Sequence, residues 1–267
     1  MPRVAVPGAE IFYRLEGEGP PLLLIRGYGS HSGWWDPLFL EPLRQRFRLI
    51  LYDHRGTGGS THLRGEYSMR RLADDAASLL LGMGLEGVGV FGLSMGGMVA
   101  QELALGYPSL VGGLVLGATH CGGERAVPPR PEAARALAER AAGKGVGREW
   151  LQAVFTPAFA AGERETVRRY LERAALDPVP PEIVEMQKRA VAEFDSWERL
   201  PRVAAPTLVL HGEDDAVVPA DNARRLAGRI PGARLELLPG VGHDFTVQAP
   251  RRSARLLLGF LQPAPGS

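Results

Sequence analysis

An apolar run, Val88-Gly89-Val90-Phe91, leads directly into Gly92-Leu93-Ser94-Met95-Gly96-Gly97, and a helical pattern through Met98, Val99 and Leu103 starts at once. A strand that becomes a helix over so few residues forces its apex into a strained backbone conformation and thrusts that side chain outward. Glycine suits positions 92 and 96, because a side chain there would collide with the neighbouring strand and helix. In a chain with 34 glycines, Gly-x-Ser-x-Gly arises by chance. The strand before it and the helix after it make the signal specific.

The same alternation runs through most of the chain. Leu22–Ile25, Phe47–Tyr52, Val88–Phe91, Gly113–Leu116, Thr207–Leu210 and Arg234–Leu238 read as strands, and their continuous apolar character suits strands covered on both faces. Between them, Leu72, Ala76, Leu79, Leu80 and Met83 share one helix face, as do Ala254, Leu257, Leu258 and Leu261. The fold class is therefore α/β, a mostly parallel, doubly wound sheet. From about Thr119 to Pro201 no strand pattern appears. Val167, Tyr170, Leu171 and Ala174 share one helix face, and Ile183, Met186, Ala190, Val191 and Phe194 share another. A structureless loop of that length is improbable, so 119–201 is expected to be an inserted helical cap over the strands' carboxyl ends. Residues 1–118 and 202–267 then form the core.

A serine hydroxyl is a weak nucleophile until a base takes its proton, and the base needs an acid to orient it. In this architecture the chain order is serine, acid, histidine. After Ser94 each later strand supplies candidates. His211-Gly212-Glu213-Asp214-Asp215 follows Leu210, and Pro239-Gly240-Val241-Gly242-His243 follows Leu238. Asp214 and Asp215 both remain possible acids. His31, His54, His62 and His120 precede the acid in sequence, and His211 opens the acid loop, where a local hydrogen bond is the simpler role. His243 fits as base. The backbone N–H of Met95, directly after the serine, is a candidate oxyanion donor.

Five segments in order, Arg26 to Gly29, Asp53 to Ser60, Gly92 to Gly97, Gly212 to Pro219 and Gly242-His243, resemble the α/β-hydrolase superfamily with a helical cap, near its esterase, enol-lactonase and perhydrolase-like branch. The resemblance covers essentially the whole chain. It implies Gly-x-x-Asp-x-x-x-Pro for the acid, which fits Gly212, Asp215 and Pro219 and selects Asp215. It also implies Tyr28 as the second backbone oxyanion donor. Where the family commonly has His-Gly, this chain has Arg26-Gly27, which puts the local loop geometry in doubt and leaves Arg26 to pair with an acidic neighbour or with substrate. Asp53 and Arg55 are expected to brace loops, and Cys121 to be a packed thiol.

The expected activity is hydrolysis of a small to medium carboxylic ester, thioester or lactone through Ser94, His243 and Asp215. Carbon–carbon bond hydrolysis, a perhydrolase activity, and a small-molecule receptor on the same fold are the alternatives. Serine at 94 argues against relatives that use a carboxylate nucleophile, and Asp244 after His243 departs from the Trp frequent in carbon–carbon hydrolases. No cofactor or metal is expected, since three adjacent carboxylates cannot all face one ion and no His or Cys cluster supports them. Trp34, Trp35, Phe155, Phe159 and Trp197 are candidates to line an apolar pocket under the cap.

A formal net charge of +1 gathers neither nucleic acid nor an anionic membrane, so the expected partner is a small acyl substrate, with the protein a monomer or homodimer. One cysteine excludes an internal disulfide. No stretch approaches the roughly 20 apolar residues of a membrane span, and the N-terminal residues lack a signal peptide's apolar run, so a cytoplasmic location is expected.

Overall fold

The computed structural model describes residues 2–62 and 64–261, so the outermost residues of the expected core, 1 and 262–267, lie outside the described residues. Eight strands form one sheet: β1 (Arg3–Val6), β2 (Ala9–Glu16), β3 (Pro21–Ile25), β4 (Arg48–Tyr52), β5 (Val88–Leu93), β6 (Val111–Gly117), β7 (Thr207–Gly212) and β8 (Arg234–Leu238). Their order is β1-β2-β4-β3-β5-β6-β7-β8. From β4 to β8 all neighbours are parallel, while β1–β2 and β2–β4 are antiparallel.

The six strands expected from apolar runs all form. The β1–β2 hairpin is additional. β2 alternates buried Ala9 and Ile11 with exposed Glu10, the pattern of a strand with one wet face rather than two dry ones. Its turn uses Gly8 at φ +77, where a Cβ would stand 2.4 Å from the Arg64 carbonyl oxygen.

Two apolar layers cover the parallel strands, because successive strand side chains point to opposite faces. Leu23, Ile25, Ile50, Val90 and Leu116 pack against α2 (Met69–Gly82) and α3 (Met95–Gly106). Leu22, Leu24, Leu49, Leu51 and Phe91 pack against α1 (Pro37–Arg44) and the C-terminal helix Pro250–Leu261. Ser68 caps α2 by accepting from the Arg71 N–H, and Asp36 caps α1 by accepting from the Leu38 N–H. Truncating one of the fully buried leucines, such as Leu24, would cost about 2–5 kcal/mol.

Between β6 and β7 the chain is helical: α4 (Pro131–Ala141), α5 (Arg148–Val154), α6 (Pro157–Gly162), α7 (Arg164–Leu176) and α8 (Pro181–Glu193). Proline at the first position opens α4, α6 and α8, where its missing N–H costs nothing. An isolated antiparallel bridge, Gly122 to Asp195, joins the two ends of this insertion. Beyond β7 follow α9 (Asp221–Arg229), α10 (Phe245–Gln248) and α11 (Pro250–Leu261). No helix among the described residues is long and apolar enough to cross a membrane.

Candidate active site

The strand order reverses at β3, with β4 on one side and β5 on the other, so the carboxyl ends of β3 and β5 open a crevice between them. Ile25 pairs with Gly92, and the loops that follow therefore lie side by side. A Cβ on Gly27 would stand 3.0 Å from the Cβ of Ser94. Ser94 itself has φ +58 and ψ −123, a strained conformation for a residue with a side chain. A Cβ at Gly92 would lie 2.2 Å from the Gly96 carbonyl oxygen, and one at Gly96 2.2 Å from that of Ile25, so both positions exclude any larger residue. The Ser94 N–H donates to the Gly117 carbonyl at 2.8 Å, fixing the turn to β6.

β7 and β8 deliver the other two groups. Ser94 Oγ lies 3.0 Å from His243 Nε2, and His243 Nδ1 lies 2.7 Å from Asp215 Oδ2. The Val217 and Val218 N–H groups each donate to Asp215 Oδ1 at 2.8 Å, which fixes the carboxylate's rotation. Burial pushes the Asp215 carboxyl up, but His243 and His211 outweigh it and hold its pKa at about 2. His211 Nε2 sits 2.7 Å from the Val218 carbonyl oxygen and 3.2 Å from Asp215 Oδ2. It braces the acid loop locally. Asp214 is exposed, with its side chain outside this line.

Among the described residues, the N–H groups of Tyr28 and Met95 have no protein acceptor. The next residue, Gly29, is gripped by the insertion. Its N–H donates to Gln187 Oε1 of α8 at 2.7 Å, and its carbonyl accepts from Arg140 of α4. Gln187 is fully buried, and its Nε2 donates to the Tyr67 hydroxyl at 3.1 Å. Nothing in the residue pattern singled out Gln187 or Arg140, because a polar side chain on a helix face carries no mark of its partner.

Arg26 does pair with an acidic neighbour. Its Nη2 lies 3.2 Å from Asp244 Oδ2, and its guanidinium stacks 4.7 Å from the Trp35 ring centre. His54 Nε2 contacts the Arg26 carbonyl oxygen at 3.0 Å, so a neutral imidazole props the loop from below. Asp53 accepts from the Ser32 and Gly59 N–H groups, and Arg55 forms a buried bidentate pair with Asp75. Both brace loops. Cys121 is packed in the core, and burial pushes its thiol up.

Two cavities meet at Ser94. One is an apolar groove of about 330 Å³, bordered by Tyr28, Met98, Leu137, Val191 and Val218, with exposed Ala134 and Ala192 at its rim. His120 also borders it; burial drives its pKa down to about 4, so it is neutral. The second is a chamber of about 40 Å³ lined by Arg26, Tyr28, Trp34, Trp150 and Tyr170, with Ser94 and His243 also at its border. Two larger depressions, about 680 Å³ beside His31 and about 970 Å³ beside Asp214, include none of Ser94, Asp215 and His243.

Of the five aromatic pocket candidates, Trp34 borders the chamber and the other four border neither cavity at Ser94. Trp35 packs on the far face of the sheet between Arg26, Phe39 and Phe91. Phe155 and Phe159 meet at a tilt in a cluster that joins the insertion to Trp34, Val217 and Val247 of the core. Trp197 lies between the guanidinium groups of Arg125 and Arg229. Among the described residues, no cluster of three or more His, Cys, Asp or Glu is placed to hold a metal ion.

Residues 21–248 match the family model described as serine aminopeptidase, S33. The chain is 32% identical over 248 residues to a Caulobacter sp. protein named carbamate hydrolase RutD, covering 90% of each. It is 32% identical to a pimeloyl-[acyl-carrier protein] methyl ester esterase of Nitrosomonas europaea, covering 88% of this chain and 93% of that one. A solved esterase from Thermogutta terrifontis superposes with a TM-score of 0.83 at 31% identity, covering 98% of both chains.

Proposed function

Because the chain belongs to the serine aminopeptidase S33 family of α/β-hydrolases and is a hydrolase, we propose that it cleaves a small to medium carboxylic ester, thioester or lactone by two-step acyl transfer. Ser94 attacks the carbonyl carbon while His243 takes its proton, and Asp215 holds the imidazole in the tautomer that presents Nε2 to the hydroxyl. The N–H groups of Met95 and Tyr28 receive the oxyanion. His243 then protonates the departing alcohol, and water, activated by the same imidazole, releases the acid.

The observation that carries this reading is the buried line Asp215–His243–Ser94, with contacts of 2.7 and 3.0 Å ending on a strained serine. The relatives named for carbamate and methyl ester substrates share an acyl-type carbonyl, which is the bond class proposed here. The helices α4 and α8 act as the lid over the site, since the groove lies between them and the carboxyl ends of the strands.

Replacing Ser94 by Ala is expected to cut kcat on p-nitrophenyl acetate by about 10⁴-fold or more, and to abolish labelling by a fluorophosphonate that in the parent maps to residue 94. Wild-type turnover by that variant would refute the mechanism.

A further inference from the structure

The 40 Å³ chamber is small, dry-walled and lined with hydrogen-bond donors that have no acceptor. Arg26 is 4% exposed, and although Nη2 reaches Asp244 and Nε reaches Ser30, Nη1 has no partner. Tyr28 and Trp34 line the same space, and the Tyr28 hydroxyl and Trp34 Nε1 are likewise buried and unpartnered. The Tyr170 hydroxyl accepts from Trp150 Nε1 at 3.0 Å, which leaves its own hydrogen for another acceptor. Burial pushes the Tyr28 and Tyr170 hydroxyls up to about 12, so both stay protonated. A buried donor left unpaired is destabilising, and more so when it is charged. Several around one space mark a place built for acceptors.

Charge points the same way. Arg140 is 7% exposed and has no carboxylate partner among the described residues. Its guanidinium lies 5.3 and 5.1 Å from the ring centres of Trp34 and Trp150, two walls of the chamber. Asp244 also borders the chamber, but its oxygens are engaged by Arg26 and by Thr246. A buried guanidinium without a counter-ion is costly, and an incoming anion would relieve it.

We propose that this chamber is a binding site for the carboxylate of a short, carboxylate-bearing acyl group, held by Arg26 Nη1, the Tyr28 hydroxyl and Trp34 Nε1. A carboxylate carries about four lone-pair sites and no hydrogen, matching the unpartnered donors of this wall, while the acceptor Asp244 is already engaged. A water would have to place two hydrogens of its own. At about 40 Å³ the chamber is far smaller than the 330 Å³ groove, so it takes the head group rather than the bulk of a substrate. Topology assigns the ends of the substrate. The acyl part stays bonded to Ser94 after the first step and fits the smaller chamber, while the bulkier apolar alcohol leaves through the 330 Å³ groove with its exposed rim. The inference rests on the acyl-enzyme reading, since it is Ser94 that sits where the two cavities join.

The test pairs p-nitrophenyl monoesters of malonic, succinic and glutaric acid with neutral p-nitrophenyl esters of matched length. At least one acidic member should show kcat/KM about tenfold or more above its neutral partner, the scale of one hydrogen bond to a charged group. That ratio should fall towards one in Arg26→Met and in Tyr28→Phe, which removes a hydroxyl and keeps the backbone N–H. A ratio of rates on one preparation is insensitive to how much enzyme is folded. If neutral esters win throughout, or the ratio survives both substitutions, the site is refuted. Binding separates this from failure of the chemistry. Ser94→Ala should bind succinate or glutarate, read by tryptophan fluorescence, and the Ser94→Ala, Arg26→Met double variant should not. With no ester hydrolysed by the parent, that loss of binding would sustain the site while the acyl-enzyme reading fell. Absence of binding to Ser94→Ala would overturn the site.

Discussion

The site has two halves of different origin. Ser94, Asp215 and His243 stand on loops that leave β5, β7 and β8 directly, and their geometry is fixed by backbone contacts such as Ser94 N–H to Gly117 and the two valine N–H groups on Asp215. The walls of the chamber and groove mix core-loop residues such as Arg26, Tyr28, Trp34 and Val217 with Leu137, Trp150, Tyr170 and Val191 of the insertion. The insertion holds the core loops through side chains, Gln187 and Arg140 on Gly29 and Arg173 on Asp36 at 2.7 Å, and through main-chain bonds, Arg130 N–H to the Ala216 carbonyl and Asp244 N–H to that of Val154. The line from Asp215 to Ser94 is thus fixed by main-chain contacts within the core, while the cavity walls are side chains shared between core loops and insertion. The first half tolerates little change. The second can be rewritten residue by residue.

Four substitutions or conditions press on that contrast. Asp215→Asn, which removes the carboxylate but not the volume, should lower kcat by about 10⁴-fold with the fold intact, measured on a p-nitrophenyl ester. Gln187→Leu leaves the buried Gly29 N–H without an acceptor and frees the loop that carries Tyr28. The expected loss is about 10- to 100-fold in kcat with little change in KM. A loss confined to KM would show that the insertion only shapes binding.

Asp215 also sets acid behaviour. Its folded pKa of about 2 lies below its ordinary 3.8, so the stability it contributes is present above about pH 4 and is lost as pH falls towards 2. The difference corresponds to about 2 kcal/mol. Urea midpoints measured across that window should fall for the parent and stay flatter for Asp215→Asn. The smallest effect is expected at Asp214→Asn, a change under twofold in kcat because that side chain is exposed.

The same division explains what could be read from residues alone. Ser94 and His243 could be picked out from residues because each follows an apolar run within a few residues, and a strand end is a local signal, whereas that pattern left Asp214 and Asp215 both open and only the resemblance selected Asp215. The hairpin β1–β2 was missed because Ala9, Ile11 and Glu10 alternate instead of forming a continuous run. Trp35, Phe155, Phe159 and Trp197 were placed by residue type, yet an aromatic ring reads alike whether it faces a cavity, a guanidinium or another ring. Where helices α4 to α8 turn their polar faces depends on partners far along the chain: Gly29 and Gln187 are 158 residues apart. No local pattern records such a meeting. The Arg26 substitution in the otherwise familiar loop was visible, and its consequence, a pair with Asp244 and a free Nη1, needed the fold.

The bridge between Gly122 and Asp195 means that the helical insertion departs from and returns to the sheet at one pinch. A bulb on so narrow a stem can be lengthened, shortened or exchanged without asking β6 or β7 to move, since closing a longer excursion between fixed ends adds little entropic cost. Such a chain is modular in a practical sense: a foreign bulb grafted at that pinch would leave β6 and β7 in place, provided it restores the acceptor that Gln187 gives the Gly29 N–H.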